Sequence, residues 1–123
     1  MSLETIRLSQ QGRDQLIKLK RHTGIKQWNV LCRWALCTSL ADPTPPLVRD
    51  VVTDSNVEMS WKTFASQYGP TYFALIKERA KKEEGSIAPD ALARSAHAHI
   101  HRGVGMLTGG QVTSIAALIS GAC

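Results

Sequence analysis

No stretch of this 123-residue chain stays apolar for long. The longest runs, Trp34-Ala35-Leu36-Cys37 and Ile115-Ala116-Ala117-Leu118-Ile119, fall far short of the ~20 residues a membrane span needs. The opening residues, Met1-Ser2-Leu3-Glu4, lack the basic and apolar segments of an export signal. Cysteine is scarce and odd in number, with Cys32, Cys37 and Cys123, which argues against a disulfide framework and suits a reducing cytoplasm. Low-complexity tracts, internal repeats and long linkers are missing, and 13.5 kDa of chain builds one core but not two. The expectation is a single domain over residues 1–123, soluble, cytoplasmic and without a membrane partner.

Catalytic signatures are missing as well. There are no paired carboxylates, no nucleophile triad and no dinucleotide fingerprint, and Gly103-Val104-Gly105 and Gly109-Gly110 lack the Gly-Lys-Ser/Thr ending of a phosphate loop. Cys32 and Cys37 point about 140° apart on a helix, so they neither pair nor share a metal, and they read as small apolar core residues. His97 and His101 share a helix face, while His99 lies on the other side with Leu92 and Ala96. No acidic or cysteine residue stands beside the pair as a third ligand, so the favoured reading is two exposed histidines and a buried, hydrogen-bonded one. Neither a cofactor nor a metal is expected, and the chain reads as a non-enzyme.

What is present is a localised charge. The net charge is +5, and residues 1–33 carry all of it: Arg7, Arg13, Lys18, Lys20, Arg21, Lys26 and Arg33 against Glu4 and Asp14, while the remainder is balanced. A basic excess confined to the first quarter of a chain is the footprint of a polyanion-binding face. All seven cations are candidate DNA contacts.

The pattern along the chain is mainly helical. Residues 3–9 alternate like a short strand, and Ser9 is placed to cap a helix over residues 10–22 that stops at Thr23-Gly24. Gly12, Leu16, Leu19 and Thr23 form its apolar stripe, opposite Asp14, Lys18 and Arg21. Residues 27–41 read as a second helix, apolar around its whole circumference, which calls for cover by another copy of the chain. Pro43, Pro45 and Pro46 end it; residues 51–64 read as loop with possible extended pieces. Further helices are expected from Gly69-Pro70, over residues 91–102 with Gly103 and Gly105 as its stop, and over residues 111–120.

Strand, helix, glycine turn and helix are the element order of a ribbon-helix-helix unit. In that arrangement the N-terminal strands of two copies pair, Thr5, Arg7 and Ser9 face the bases, and the amides around residues 25–27 with Lys26 clamp a phosphate.

Ile6-Arg7-Leu8-Ser9, Leu19-Lys20-Arg21-His22-Thr23-Gly24, Asn29-Val30-Leu31-Cys32-Arg33-Trp34-Ala35-Leu36-Cys37 and His99-Ile100-His101-Arg102-Gly103-Val104, taken in order, resemble the DndE family of bacterial DNA phosphorothioation systems. The resemblance implies a non-catalytic homo-oligomer, a tetramer, that favours nicked duplex DNA and works beside sulfur-activating and ATPase subunits in the cytoplasm, at the nucleoid. Carried over by segment, Lys18, Lys20, Arg21 and Lys26 would hold the DNA. The competing expectations are a ribbon-helix-helix repressor, a nicking or metal-dependent nuclease using His97 and His101, and an adaptor for an acidic protein.

Overall fold

The computed structural model describes residues 4–47 and 51–109. The expected strand position Leu3, the expected helix over residues 111–120 and Cys123 lie outside them.

Strand β1, Thr5–Arg7, leads into helix α1, Gln10–Thr23, which starts where Ser9 Oγ accepts the Gly12 N–H at 3.0 Å. The helix ends at Gly24, whose φ of 76° is the left-handed conformation that glycine adopts without Cβ strain. Its buried residues are Gly12, Leu16, Leu19 and Thr23, the stripe the spacing predicts. Helix α2, Trp28–Leu40, buries Leu31, Cys32, Ala35, Leu36 and Ser39.

Residues 51–64 hold more structure than the sequence shows. Strand β2, Glu58–Ser60, runs antiparallel to β1 with Thr5 opposite Ser60, Ile6 opposite Met59 and Arg7 opposite Glu58. Ser60 then caps the short helix α3, Trp61–Ala65, its Oγ accepting the Thr63 N–H at 3.1 Å. Three- and five-residue elements are too brief for a periodic signal. Helix α4, Gly69–Glu84, carries Pro70 in its first turn, as its sequence predicts.

The last described helix, α5, spans Pro89–Gly109 and passes through the expected stop at Gly103 and Gly105. Gly103 has no Cβ because there is no room for one: an added Cβ would lie 1.7 Å from the Ala35 carbonyl oxygen. The glycine that reads as a helix breaker is the point where α5 and α2 cross in backbone contact. Around that crossing pack Ile6, Leu8, Leu16, Leu19, Leu31, Leu36, Phe64, Ile76, Ile100 and Val104 in one core.

The literal ribbon does not form. β1 is paired with β2 of its own chain along one edge, and along the other edge the Arg7 and Ser9 N–H groups donate to His97 Nε2 (3.2 Å) and His101 Nε2 (2.9 Å). A strand with both edges occupied cannot pair with its counterpart in a second copy.

Candidate nucleic-acid interface

The seven cations of residues 1–33 divide into two groups. Lys18 and Arg21 stand on the outward face of α1, and Lys26 is exposed in the connection to α2. Lys20 lies on a flank of α1 bordering the core and holds its Nζ 3.5 Å from the ring centroid of Trp28, a cation–π contact that fixes its charge beside the first turn of α2. Among the described residues no acidic side chain pairs with Lys18, Lys20, Arg21 or Lys26. The N-terminal turn of α2 lacks both an acidic residue and a side-chain cap, so its positive dipole end adds to the same field.

Of the other three cations, Arg33 and Arg7 hold elements together, while Arg13 lies only beside its neighbour Asp14. Arg33 Nη1 donates to the Phe64 carbonyl at 3.1 Å and ties α2 to the end of α3. Arg7 Nε donates to the Ser55 carbonyl at 2.8 Å, and Arg13 lies 3.6 Å from Asp14. Of the seven candidates, Arg33 is therefore turned inward, and Arg7 is partly spent on holding residues 51–57 against β1. Thr5 stays exposed, whereas Ser9 is occupied as the α1 cap.

His97 and His101 are half-buried, not exposed. Each Nδ1 donates to the carbonyl one turn earlier, Ala93 and His97 respectively, at 2.7 Å, leaving Nε2 to accept from β1. Both nitrogens of both rings are thus engaged, which removes them as metal ligands, and burial holds both imidazoles below their ordinary pKa and neutral. No group of three or more metal-ligating side chains occurs among the described residues.

His99 is buried, as the sequence indicates. Its Nδ1 lies 2.8 Å from Ser39 Oγ and its Nε2 2.9 Å from Glu83 Oε1, the connectivity of a hydrolytic triad. Ser39 and His99 have no exposed surface, and Ser39 Oγ accepts from Arg102 Nε at 2.8 Å, so no substrate reaches the hydroxyl. The constellation belongs to a larger network at the C-terminus of α2. Arg79 donates to the carbonyls of Leu40, Asp42 and Thr44 and pairs with Glu83 at 2.7 Å. Arg102 donates to the carbonyls of Ser39 and Thr44. Two guanidiniums thus meet the carbonyls a helix end leaves unpaired. Burial works to raise the Glu83 carboxyl, but hydrogen bonds from His99 and Arg79 outweigh it and hold it low. At the end of α4, Lys81 and Lys82 stay exposed while Glu83 turns inward to His99 at 2.9 Å and Glu84 to Arg94 at 2.6 Å.

Sequence reasoning misses one further feature. Between α1, the start of α2 and β2 lies a cleft of about 440 Å³ lined by Arg13, Gln27, Trp28, Asn29, Asn56 and Glu58 among others. Asn56 sits in the segment read as loop, and the amides of Gln27 and Asn29 carry no motif.

Fold and charge together define a class: a small helical protein built on one backbone-close helix crossing, with cations on α1 that have no acidic partner among the described residues and with the Ser39–His99–Glu83 constellation enclosed. This chain belongs to the DndE family, since the family model described as DNA sulphur modification protein DndE matches residues 5–114. The fold is also that of solved structures. The crystal structure of DndE from Escherichia coli B7A, involved in DNA phosphorothioation modification, is 24% identical, covers 85% of this chain and 95% of its own, and superposes with a TM-score of 0.69. A DndE variant with two glycines changed to lysine, described as involved in DNA phosphorothioation, is 22% identical, covers 86% and 97%, and gives 0.64. No curated protein sequence matches the chain.

Proposed function

We propose that this chain is a non-catalytic DNA-binding subunit of a bacterial DNA phosphorothioation system. It binds duplex DNA, nicked duplex above intact, through Lys18, Lys20, Arg21 and Lys26 with little dependence on base sequence. It acts in the cytoplasm, at the nucleoid, as a homo-oligomer beside sulfur-activating and ATPase subunits. The observation that carries the reading is the division of its cations: Arg79, Arg94 and Arg102 are committed to internal partners, whereas those four on and after α1 have no acidic partner among the described residues. Phosphate contacts of this kind supply affinity without sequence information and weaken steeply with salt. A nick makes the duplex easier to bend, which is a physical route to preferring it.

The surface of α2 supports self-association. Val30, Trp34 and Cys37 stay half-buried and Ala41 exposed after the chain has folded, a stripe at helical spacing bordered by Tyr72 of α4. A second copy is the cover this stripe fits, and the resemblance to DndE points to a tetramer.

A salt titration against intact, nicked and single-stranded DNA of one arbitrary sequence tests the reading. The expected result is binding that falls steeply with salt and is tightest for the nicked duplex. Absence of binding to all three at low salt would overturn it.

A further inference from the structure

We propose that the cleft between α1, the start of α2 and β2 receives one unpaired nucleotide of a DNA strand. This rests on the DNA-binding reading above and adds a second kind of contact to it. The volume, about 440 Å³, falls within the range of pockets that enclose small ligands.

Its lining suits a nucleobase. Gln27, Asn29 and Asn56 bring three carboxamides, each with a donor and an acceptor, which match the paired donors and acceptors on the edge of a base. Asn29 Nδ2 donates to the Thr63 carbonyl at 3.1 Å, which fixes its orientation and leaves its oxygen as an acceptor. Gln27 and Asn56 make no side-chain hydrogen bond among the described residues. Glu58 adds a carboxylate that can accept from an exocyclic amine. Trp28 supplies the apolar surface that bases prefer, and Lys20 over its ring and Arg13 at the lining supply the cations a nucleotide phosphate requires. A base in an intact helix has its pairing edge taken by its partner and its faces by its stacked neighbours, so it enters the cleft only where the strand is interrupted or a base is extruded.

The proposal separates from general backbone binding by experiment. The native protein is titrated with duplexes carrying a one-nucleotide bulge, the bulged position being either a normal nucleotide or an abasic one of identical charge. The normal bulge is expected to bind about tenfold more tightly, roughly the net worth of one or two hydrogen bonds from the carboxamides to the base. Gln27→Ala with Asn56→Ala, both exposed positions, is expected to abolish that difference while leaving the affinity for intact duplex and its salt dependence unchanged. Equal affinity for the two bulges, with salt-dependent duplex binding intact, would overturn the cleft alone. A difference that persists in the double variant would also overturn it. Loss of all DNA binding by the native protein would overturn this proposal and the reading beneath it together. Saturation by deoxyadenosine monophosphate as readily as by the bulge would overturn the assignment to a DNA strand.

Discussion

Gly103 and the three histidines of α5 show how single atoms set the properties of this molecule. Gly103→Ala would place a methyl inside the Ala35 carbonyl, a backbone group with no rotamer to give way. The expected cost is about 3 kcal/mol or more, the upper end of overpacking, read as a fall in the urea midpoint. The histidines contribute to the acid limit. Burial keeps His97, His99 and His101 neutral in the fold, below the ordinary value of 6.5 at which the unfolded chain takes up protons. Below pH 6.5 the unfolded state therefore binds more protons than the folded one. Stability is full above that pH and declines as pH falls through the lower folded-state values. Melting at pH 7.5 and pH 5 checks this, and the double variant His97→Gln, His101→Gln is expected to melt lower at pH 7.5 yet lose less on acidification. Cys32 shows burial acting on a thiol: its pKa is pushed up to about 12, so it resists alkylation in the folded protein.

The network at the end of α2 is the clearest case at the scale of elements. Arg79 spans three carbonyls and a carboxylate, and a lysine, with one compact ammonium, cannot serve all four. Arg79→Lys is expected to lose about 3 kcal/mol by chemical denaturation, close to the loss for Arg79→Ala, because both leave Glu83 buried beside unmet carbonyls. Such a network also marks the limit of what the sequence makes legible. The ends of α1 are written in Ser9 and Gly24, and the start of α4 in Pro70, because caps act within one turn. The length of α5 is not, because the reason for Gly103 lies in Ala35, distant in the chain. The β1–β2 pairing was hidden likewise: three residues of strand carry no period, and the partner of β1 lies about fifty residues away. For the candidate interface, the excess of cations over residues 1–33 was legible and its membership was not. Arg33 and Lys26 look alike in sequence, and only the Phe64 carbonyl separates them.

For the whole molecule, two surfaces carry the function proposed. The DNA face is expected to depend on charge alone: Lys18, Lys20 and Lys26 changed together to alanine should flatten the plot of log affinity against log salt by about 0.9 for each phosphate no longer neutralised. Unchanged binding by a folded triple variant would remove that face. The α2 stripe is a separate surface, and Trp34→Glu is expected to give a monomer by light scattering while the far-ultraviolet circular dichroism stays native. Oligomer mass unchanged in that variant would place the self-association surface elsewhere.

The clasping of β1 also sets an order of events during synthesis. Residues 5–9 are made well before their partners, which come from residues 55–60 and from His97 and His101. Contacts so distant along the chain close late. An unfinished chain lacking α5 leaves the Ser9 N–H without its imidazole and α1 without the helix it packs on. The cationic helix is therefore fixed in place only once α5 has been made, long after α1 itself.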